Sequence, residues 1–256
     1  MSAPHLVAFD LDDTLAPSKS EIDPRIGELL IALADRVEVA IISGGQLAQF
    51  TSQVVDRLPD ASAAVLERMH LLPTCGTQYY RLSEDGVVTV YKRSLTDDQK
   101  SRALAAVEGE ARRLGLWEEQ TWGDILEDRG SQITFSALGQ QAPLEAKKAW
   151  DPTGEKKEML RDAVAKLLPE LEVRSGGSTS VDITRAGVDK AYGMVRLSEQ
   201  TGIDVTDMLF VGDRLDEGGN DYPVKRLGMP TQAVADWRET AELVERIVPS
   251  LVAARA

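Results

Sequence analysis

Leu6-Val7-Ala8-Phe9 runs straight into Asp10-Leu11-Asp12-Asp13-Thr14, and that junction constrains the fold more than any other stretch. An apolar run of strand length without alternation is a strand covered on both faces, which belongs inside a parallel sheet flanked by helices. Asp23-Pro24 follows as N-cap and first helical position, with Ile26, Leu29, Leu30 and Leu33 at helical spacing behind it. Val39-Ala40-Ile41-Ile42 is a second buried strand. Gly44-Gly45 then reads as opening a helix through Leu47, Phe50, Val54 and Leu58 that Pro59 stops. Strand, helix, strand, helix gives an α/β domain with a parallel sheet and right-handed crossovers.

The rhythm then breaks. Strand-like runs over 87–92, 131–136 and 180–184 alternate with two longer helices, one behind the capping box Thr96-Asp97-Asp98-Gln99 and one expected from Asp151-Pro152 to Leu168. Past Gly187 the first pattern returns: a helix from Lys190, strands over 208–211 and 231–234, a short helix after Asn220-Asp221 and a helix over 237–247. The expected organisation is a core of residues 1–81 and 188–256 interrupted by an α+β insert of residues 82–187. A chain of 256 residues with 43% hydrophobic content can bury such a core.

Charge and cysteine usage exclude several classes. The chain carries 42 Asp plus Glu against 29 Lys plus Arg, a net charge of −13, which argues against nucleic acid and anionic membrane surfaces as partners. No stretch approaches the roughly 20 apolar residues of a membrane span. Residues 1–9 lack the basic start of a secretory signal, and the one cysteine, Cys75, cannot close an intrachain disulfide; both point to a reducing, cytoplasmic setting. Cys75 reads as buried filler beside a strand, with a reactive thiol as the alternative. Lys147-Lys148 and Lys156-Lys157 read as a solvated helix face, and Trp117, Trp122 and Trp150 as packing groups.

In an open parallel sheet ligands bind beyond the carboxyl ends of the strands, where the acids after the first strand lie. Two carboxylates two residues apart can divide the work of phosphoryl transfer. Asp10 can attack phosphorus while sharing a Mg²⁺ with Asp213, and Asp12 can protonate the leaving oxygen and later take a proton from water. An acidic capping turn is the plain alternative. Ser43-Gly44-Gly45 can offer a hydroxyl and backbone N–H groups to an anion, or be a tight turn with a serine cap. Lys190, after Gly187-Val188-Asp189, can offset the charge of a phosphorylated aspartate, or be a surface lysine. Val211-Gly212-Asp213 through Gly218-Gly219-Asn220-Asp221 sets oxygen ligands among glycines, suited to a hard octahedral cation, or is a solvated loop. The conjunction of the four at the ends of separate strands favours chemistry over four coincidental turns.

Asp10-Leu11-Asp12-Asp13-Thr14, Ser43, Lys190 and Gly212-Asp213 with Asn220-Asp221 resemble the four motifs of the haloacid dehalogenase (HAD) superfamily. The resemblance implies a Rossmann-like core and a Mg²⁺-dependent phosphotransferase working through an aspartyl-phosphate. In that scheme Asp10 is the nucleophile and Asp12 the general acid/base; Ser43 and Lys190, with Thr14, Gly44 and Gly45 around them, hold the transferring group; Asp10, Asp12, Asp213, Asn220 and Asp221 form the metal site. An insert between the second and third motifs matches the position of the cap in the IIB (Cof-type) branch. Within it, Gly176-Gly177-Ser178-Thr179-Ser180-Val181-Asp182 and Gly187-Val188-Asp189-Lys190 are similar to eukaryotic-type phosphomannomutases. That likeness implies that Ser180, Asp182 and Arg129 reach the substrate from the cap as it closes. Related mutases pair through their caps, so the likeness leaves a homodimer and a monomer both open.

Three positions depart from the mutase pattern. Gln140 stands where a second cap arginine would fall, Glu118 meets a further one, and Asp13 replaces the usual glycine of DxDGT. A mutase must hold a phosphate at the far end of its substrate, and a neutral amide cannot replace the charge of a guanidinium–phosphate pair. The expected function is therefore a Mg²⁺-dependent phosphatase acting on a small phosphomonoester, a phosphosugar by preference, with a phosphohexomutase as the alternative. A phospho-accepting receiver module is disfavoured, because its acceptor aspartate lies on a later strand and its lysine does not lie 180 positions on.

Overall fold

The computed structural model describes residues 3–177 and 179–251, so Ser178 of the glycine-rich run lies outside the described residues. The chain divides into two compact units, one of Met1–Lys92 with Asp189–Ala256 and one of Arg93–Val188. The first unit begins with β1 (Leu6–Asp10), every residue of which is buried. It continues through α1 (Pro24–Ala34), capped by the Asp23 side chain, β2 (Glu38–Ile42), α2 (Leu47–Gln53) and the short α3 (Ala63–Leu66). Next come β3 (Met69–Leu72), one irregular turn α4 (Pro73–Gly76), and a hairpin of β4 (Gln78–Ser83) and β5 (Gly86–Lys92).

The second unit holds α5 (Asp97–Arg113), β6 (Leu126–Asp128), β7 (Gln132–Ser136), α6 (Leu144–Trp150), α7 (Glu155–Leu167), β8 (Leu171–Ser175) and β9 (Ser180–Arg185). Both halves of the Thr96–Gln99 capping box form. The first unit then resumes with α8 (Lys190–Thr201), β10 (Met208–Gly212), α9 (Tyr222–Arg226), β11 (Thr231–Ala233) and α10 (Trp237–Ile247).

The first unit's sheet has the order β11-β10-β1-β2-β3-β4-β5, parallel through β3 and antiparallel beyond it. Helices cover both of its faces, as unbroken apolar strands require. Val7 and Phe9 share one core with Ile26, Leu30 and Leu33 of α1 and Ala241 and Val244 of α10. Leu6 and Ala8 share the other with Met194 and Leu197 of α8 and Val224 of α9. The second unit's sheet, β6-β7-β9-β8, is antiparallel. Ile133, Phe135, Val181 and Ile183 pack against Val107 of α5 and Leu160 and Val164 of α7. Residues on the opposite parity of β7 and β9 are polar. Among the described residues no helix is long and apolar enough to cross a membrane.

Three sequence expectations shift. The first unit runs to Lys92, past the expected boundary at 81/82, because β5 pairs along the whole of β4. α2 begins at Leu47 rather than Gly44, since Ser43-Gly44-Gly45 is spent on the link out of β2, and regular α-helix ends at Gln53. α7 begins at Glu155 rather than Pro152; Asp151 still caps it, accepting from Lys156 N (3.2 Å) and Lys157 N (3.0 Å) across the intervening turn.

Cys75 is half-buried rather than core filler. It lies in the α4 turn, where Thr74 and Cys75 take φ of 48° and 53°, and its N–H donates to Ser43 O (2.9 Å). Gly193 of α8 packs against this turn: a Cβ there would meet Ile42 Cδ1 at 2.5 Å and Cys75 O at 2.8 Å. Gly193→Ala is expected to cost about 1–3 kcal/mol by overpacking. Thermal denaturation reads it, and a melting temperature equal to wild type would show that the seam is slack.

Candidate active site

The core site forms where β1, β2 and β10 end. Asp10 closes β1 and is 3% exposed. Lys190, the first residue of α8, is 2% exposed and places Nζ 2.6 Å from Asp10 Oδ1 and 2.5 Å from Asp221 Oδ1. Asp189 starts that helix, its side chain accepting from Tyr192 N (2.8 Å). Asp221 is fully enclosed, and its second oxygen accepts from Arg214 N (3.1 Å). Gly212 makes this possible, because a Cβ there would overlap Asp221 Oδ2. Asp213 is half-buried, and Thr14 Oγ1 donates to its Oδ1 at 3.4 Å.

Asp10, Asp213 and Asp221 can each bring an oxygen within 4.8 Å of the other two. Three carboxylates facing one lysine leave an uncompensated charge of about −2 in a largely dry place. All the donors are hard oxygens, so the set fits a divalent cation of the Mg²⁺ type. Burial pushes the Asp10 carboxyl up to about 7, with Lys190 pulling it down and Asp221 pushing it up. Burial also raises Asp213, and Asp221 adds to it. For Lys190, burial pulls downward, but Asp10 and Asp221 outweigh it and hold the ammonium above its ordinary range.

Asp12 is half-buried, with Lys19 N donating to Oδ1 (2.7 Å) and Gln49 Nε2 donating to Oδ2 (3.2 Å). Asp13 takes φ of 62°, the conformation that suits the usual glycine; its own carboxylate accepts from Ser18 N (3.1 Å), which ties the turn down locally. Ser43 is buried at the end of β2, its Oγ accepting from Gly45 N (3.1 Å). A Cβ on Gly45 would fall on the Gln49 side-chain amide.

Thr14 is fully enclosed between Asp213 and Thr240, whose Oγ1 donates to Thr14 O (2.7 Å). Asp221 belongs to the acidic group that could hold a cation and also holds Lys190, while Asn220 beside it is exposed. Gln49 was not singled out from sequence, since nothing in the helical pattern of α2 marks it. Its one signal was its position a turn beyond the Gly-Gly pair.

The second unit carries a separate polar cluster. Register puts Gln132 opposite Thr184, Thr134 opposite Asp182 and Ser136 opposite Ser180, with Glu127 opposite Thr134 and Arg174 opposite Asp182. Opposite residues of an antiparallel pair share a face. Gln132 Nε2 donates to Thr134 Oγ1 (2.8 Å), which donates to Asp182 Oδ1 (2.7 Å). Gln140 Nε2 donates to Ser136 Oγ (2.6 Å), and that oxygen is 3.3 Å from Ser180 Oγ. Arg129 Nη2 lies 2.6 Å from Glu127 Oε2. Burial raises the Asp182 carboxyl, opposed chiefly by Arg129. Glu118 accepts from Trp150 Nε1 (2.7 Å), Trp117 packs on Phe135, and Trp122 is exposed.

A family model described as eukaryotic phosphomannomutase matches residues 26–247. Phosphomannomutase 1 of Mus musculus is 25% identical over 230 residues, covering 86% of this chain and 82% of its own. A haloacid dehalogenase-like hydrolase from Bacteroides thetaiotaomicron superposes with a TM-score of 0.64 at 18% identity, over 95% of this chain and 99% of that one. Trehalose-6-phosphate phosphatase of Aspergillus fumigatus gives 0.54 at 19% identity, over 95% and 92%. The chain belongs to the eukaryotic phosphomannomutase family and has the HAD-type α/β fold, and it is a phosphoryl-transfer enzyme of that superfamily.

Proposed function

We propose that this member of the phosphomannomutase family takes the phosphoryl group of a small sugar phosphate onto Asp10, with Mg²⁺ as its cofactor. The observation that carries the reading is the buried carboxylate at the end of β1, 2.6 Å from Lys190 Nζ and grouped with Asp213 and Asp221. Asp10 Oδ attacks phosphorus, and the sugar oxygen leaves with the bonding pair and a proton from Asp12. Lys190, kept charged by Asp10 and Asp221, faces the growing negative charge, and the Ser43 hydroxyl, itself held by Gly45 N–H, steadies the phosphoryl oxygens. Asp10 and Asp213 would hold the cation, with Asp221 fixing Lys190 beside them. When bound, such a cation draws charge from the transferring oxygens.

The phosphoryl group on Asp10 then passes either to water or to a second sugar hydroxyl. The family match and the mouse relative's name favour the second acceptor, a phosphohexomutase, over the phosphatase expected from the missing cap arginines. Mannose 1-phosphate with Mg²⁺ separates them: inorganic phosphate marks the hydrolase, and mannose 6-phosphate formed with a bisphosphate activator marks the mutase. No transfer from any sugar phosphate would end both readings. The single cysteine agrees with a reducing, cytoplasmic setting.

The raised Asp10 carboxyl also sets a pH dependence. Because its ordinary value is 3.8 and its folded value about 7, the folded chain holds a proton that the unfolded chain releases across that window. Stability without divalent cation should therefore fall as pH rises from about 4 to 7, and Mg²⁺ should restore it above 7. The acid limb of activity should likewise move to lower pH as Mg²⁺ is raised. Urea titrations at pH 5 and 8, with and without Mg²⁺, test this; a Mg²⁺-independent difference would contradict it.

A further inference from the structure

Two glutamines each stand third in a helix, and they spend their amides differently. Gln99, at that position of α5, accepts from Thr96 N (3.0 Å) and closes the capping box. Gln49 is the third residue of α2, yet its amide serves another element: Nε2 lies 3.2 Å from Asp12 Oδ2 and 3.5 Å from both Asp12 Oδ1 and Gln53 Oε1. All three neighbours are acceptors, which fixes the NH₂ group on that side of the amide. Gly45 admits the other side, because a Cβ there would overlap Gln49 Oε1.

The Asp12 carboxylate is thereby gripped at both oxygens. Lys19 N donates to Oδ1 (2.7 Å) from the loop that Asp12 itself opens, and Gln49 reaches Oδ2 from α2. One such bond leaves the carboxylate free to turn about it, since the terminal torsion of an aspartate is broad. A second bond, to the other oxygen and from a different element, removes that freedom. The loop is already closed by its own bonds, Asp13 N to Ala16 O (2.7 Å) and Ser18 N to Asp13 Oδ1 (3.1 Å), so the Gln49 contact acts on the carboxylate rather than on the loop.

We infer that Gln49 is a positioning residue for proton transfer by Asp12, holding the carboxyl group in the orientation from which the leaving oxygen is protonated. The inference rests on the sugar-phosphate reading above and deepens it. In the first half-reaction the bond from Asp10 Oδ to phosphorus forms and the P–O bond to the sugar breaks, its electron pair going to the sugar oxygen, which takes the proton of Asp12. A sugar alkoxide is too basic to leave without that proton, whereas p-nitrophenolate departs with the pair alone. Misplacing Asp12 therefore slows transfer from a sugar ester and spares transfer from a nitrophenyl ester, a contrast that general loosening of the site does not produce.

The test is single-turnover phosphorylation of the full chain with saturating Mg²⁺ in wild type, Gln49→Leu, Asp12→Asn and the double variant. The donors are p-nitrophenyl phosphate and the fastest of mannose 1-phosphate, mannose 6-phosphate and glucose 6-phosphate. Gln49→Leu should slow transfer from the sugar ester about tenfold and leave transfer from the nitrophenyl ester within about twofold of wild type. In the Asp12→Asn background the leucine should change nothing further, because no acid is left to orient. No slowing on the sugar ester, equal slowing on both esters, or effects of the two substitutions that simply multiply would overturn the inference alone. If the nitrophenyl ester is not taken, the double variant on the sugar ester decides. Should Gln49→Leu fail to fold, Gln49→Glu, which keeps the shape and sets a carboxylate against Asp12, is measured in its place with the same expected contrast. Wild-type rates in Asp12→Asn on both esters would overturn the role of Asp12, and no transfer from any of the three hexose phosphates would overturn the sugar-phosphate reading; the inference falls with either.

Discussion

Asp10→Asn should abolish turnover, by about three orders of magnitude or more, while leaving the fold intact. An amide at this position cannot form the phosphoryl ester, so the loss falls on chemistry and acid-stopped labelling of the protein with phosphate disappears with it. Stability should move the other way. Asp10 is a buried carboxylate raised to about 7, which means its charged form is disfavoured in the folded chain near neutrality. Replacing it by a neutral isostere leaves Lys190 paired with Asp221 at 2.5 Å and relieves part of the acid excess. In cation-free buffer at pH 8 the melting temperature should equal or exceed that of wild type. Turnover above about one per cent of wild type would remove Asp10 from the nucleophile's role.

Lys190→Met should do the opposite, costing both activity and stability. The substitution keeps an unbranched chain of similar length but removes the ammonium that faces Asp10 and Asp221. Deleting one partner of a buried ion pair leaves the others uncompensated, a loss of about 3–5 kcal/mol. For a chain of this size that is roughly 10 °C in melting temperature. Because the deficit is one of charge, Mg²⁺ should recover part of the stability by neutralising the carboxylates, while turnover stays low for want of the ammonium. Differential scanning calorimetry with and without Mg²⁺ tests this. A variant as stable as wild type in cation-free buffer would show that the acids are not held in balance by Lys190.

The two variants also separate what the sequence could and could not say. Asp10, Lys190 and Asp213 were legible because each stands beside a marker that survives without coordinates: an unbroken apolar strand before Asp10 and Asp213, and a returning helical pattern at Lys190. The acids could be counted, but their compensation could not, because Asp221 and Lys190 are 31 positions apart and meet only when α8 and the loop after β10 converge. The same holds for Thr14, whose enclosure beside Asp213 no neighbouring residue announces. Gln49 reached Asp12 without any pattern announcing it.

Boundaries failed for a local reason. Asp85-Gly86 is a hairpin signal, and Gly86 takes φ of 104°, yet the alternation over 87–92 was assigned to the insert because it follows a break in the βα rhythm. A strand added antiparallel to a parallel sheet carries no sign of which sheet it joins. In the second unit the alternation of Gln132, Ile133, Thr134, Phe135 and Ser136 does declare one polar and one apolar face. Whether the polar face carries charge is decided by register, which sets Glu127 and Arg129 near Asp182.

By itself, then, the amino-acid order determined the sheet-forming runs, the acids at their ends and the interruption of one domain by another, because burial period and strand ends are properties of neighbouring residues. Tertiary structure alone decided which carboxylates hold the lysine, which threonine is enclosed beside Asp213 and which acids pair with the arginines of the second unit, because charge balance and enclosure depend on groups that the chain brings together from far apart.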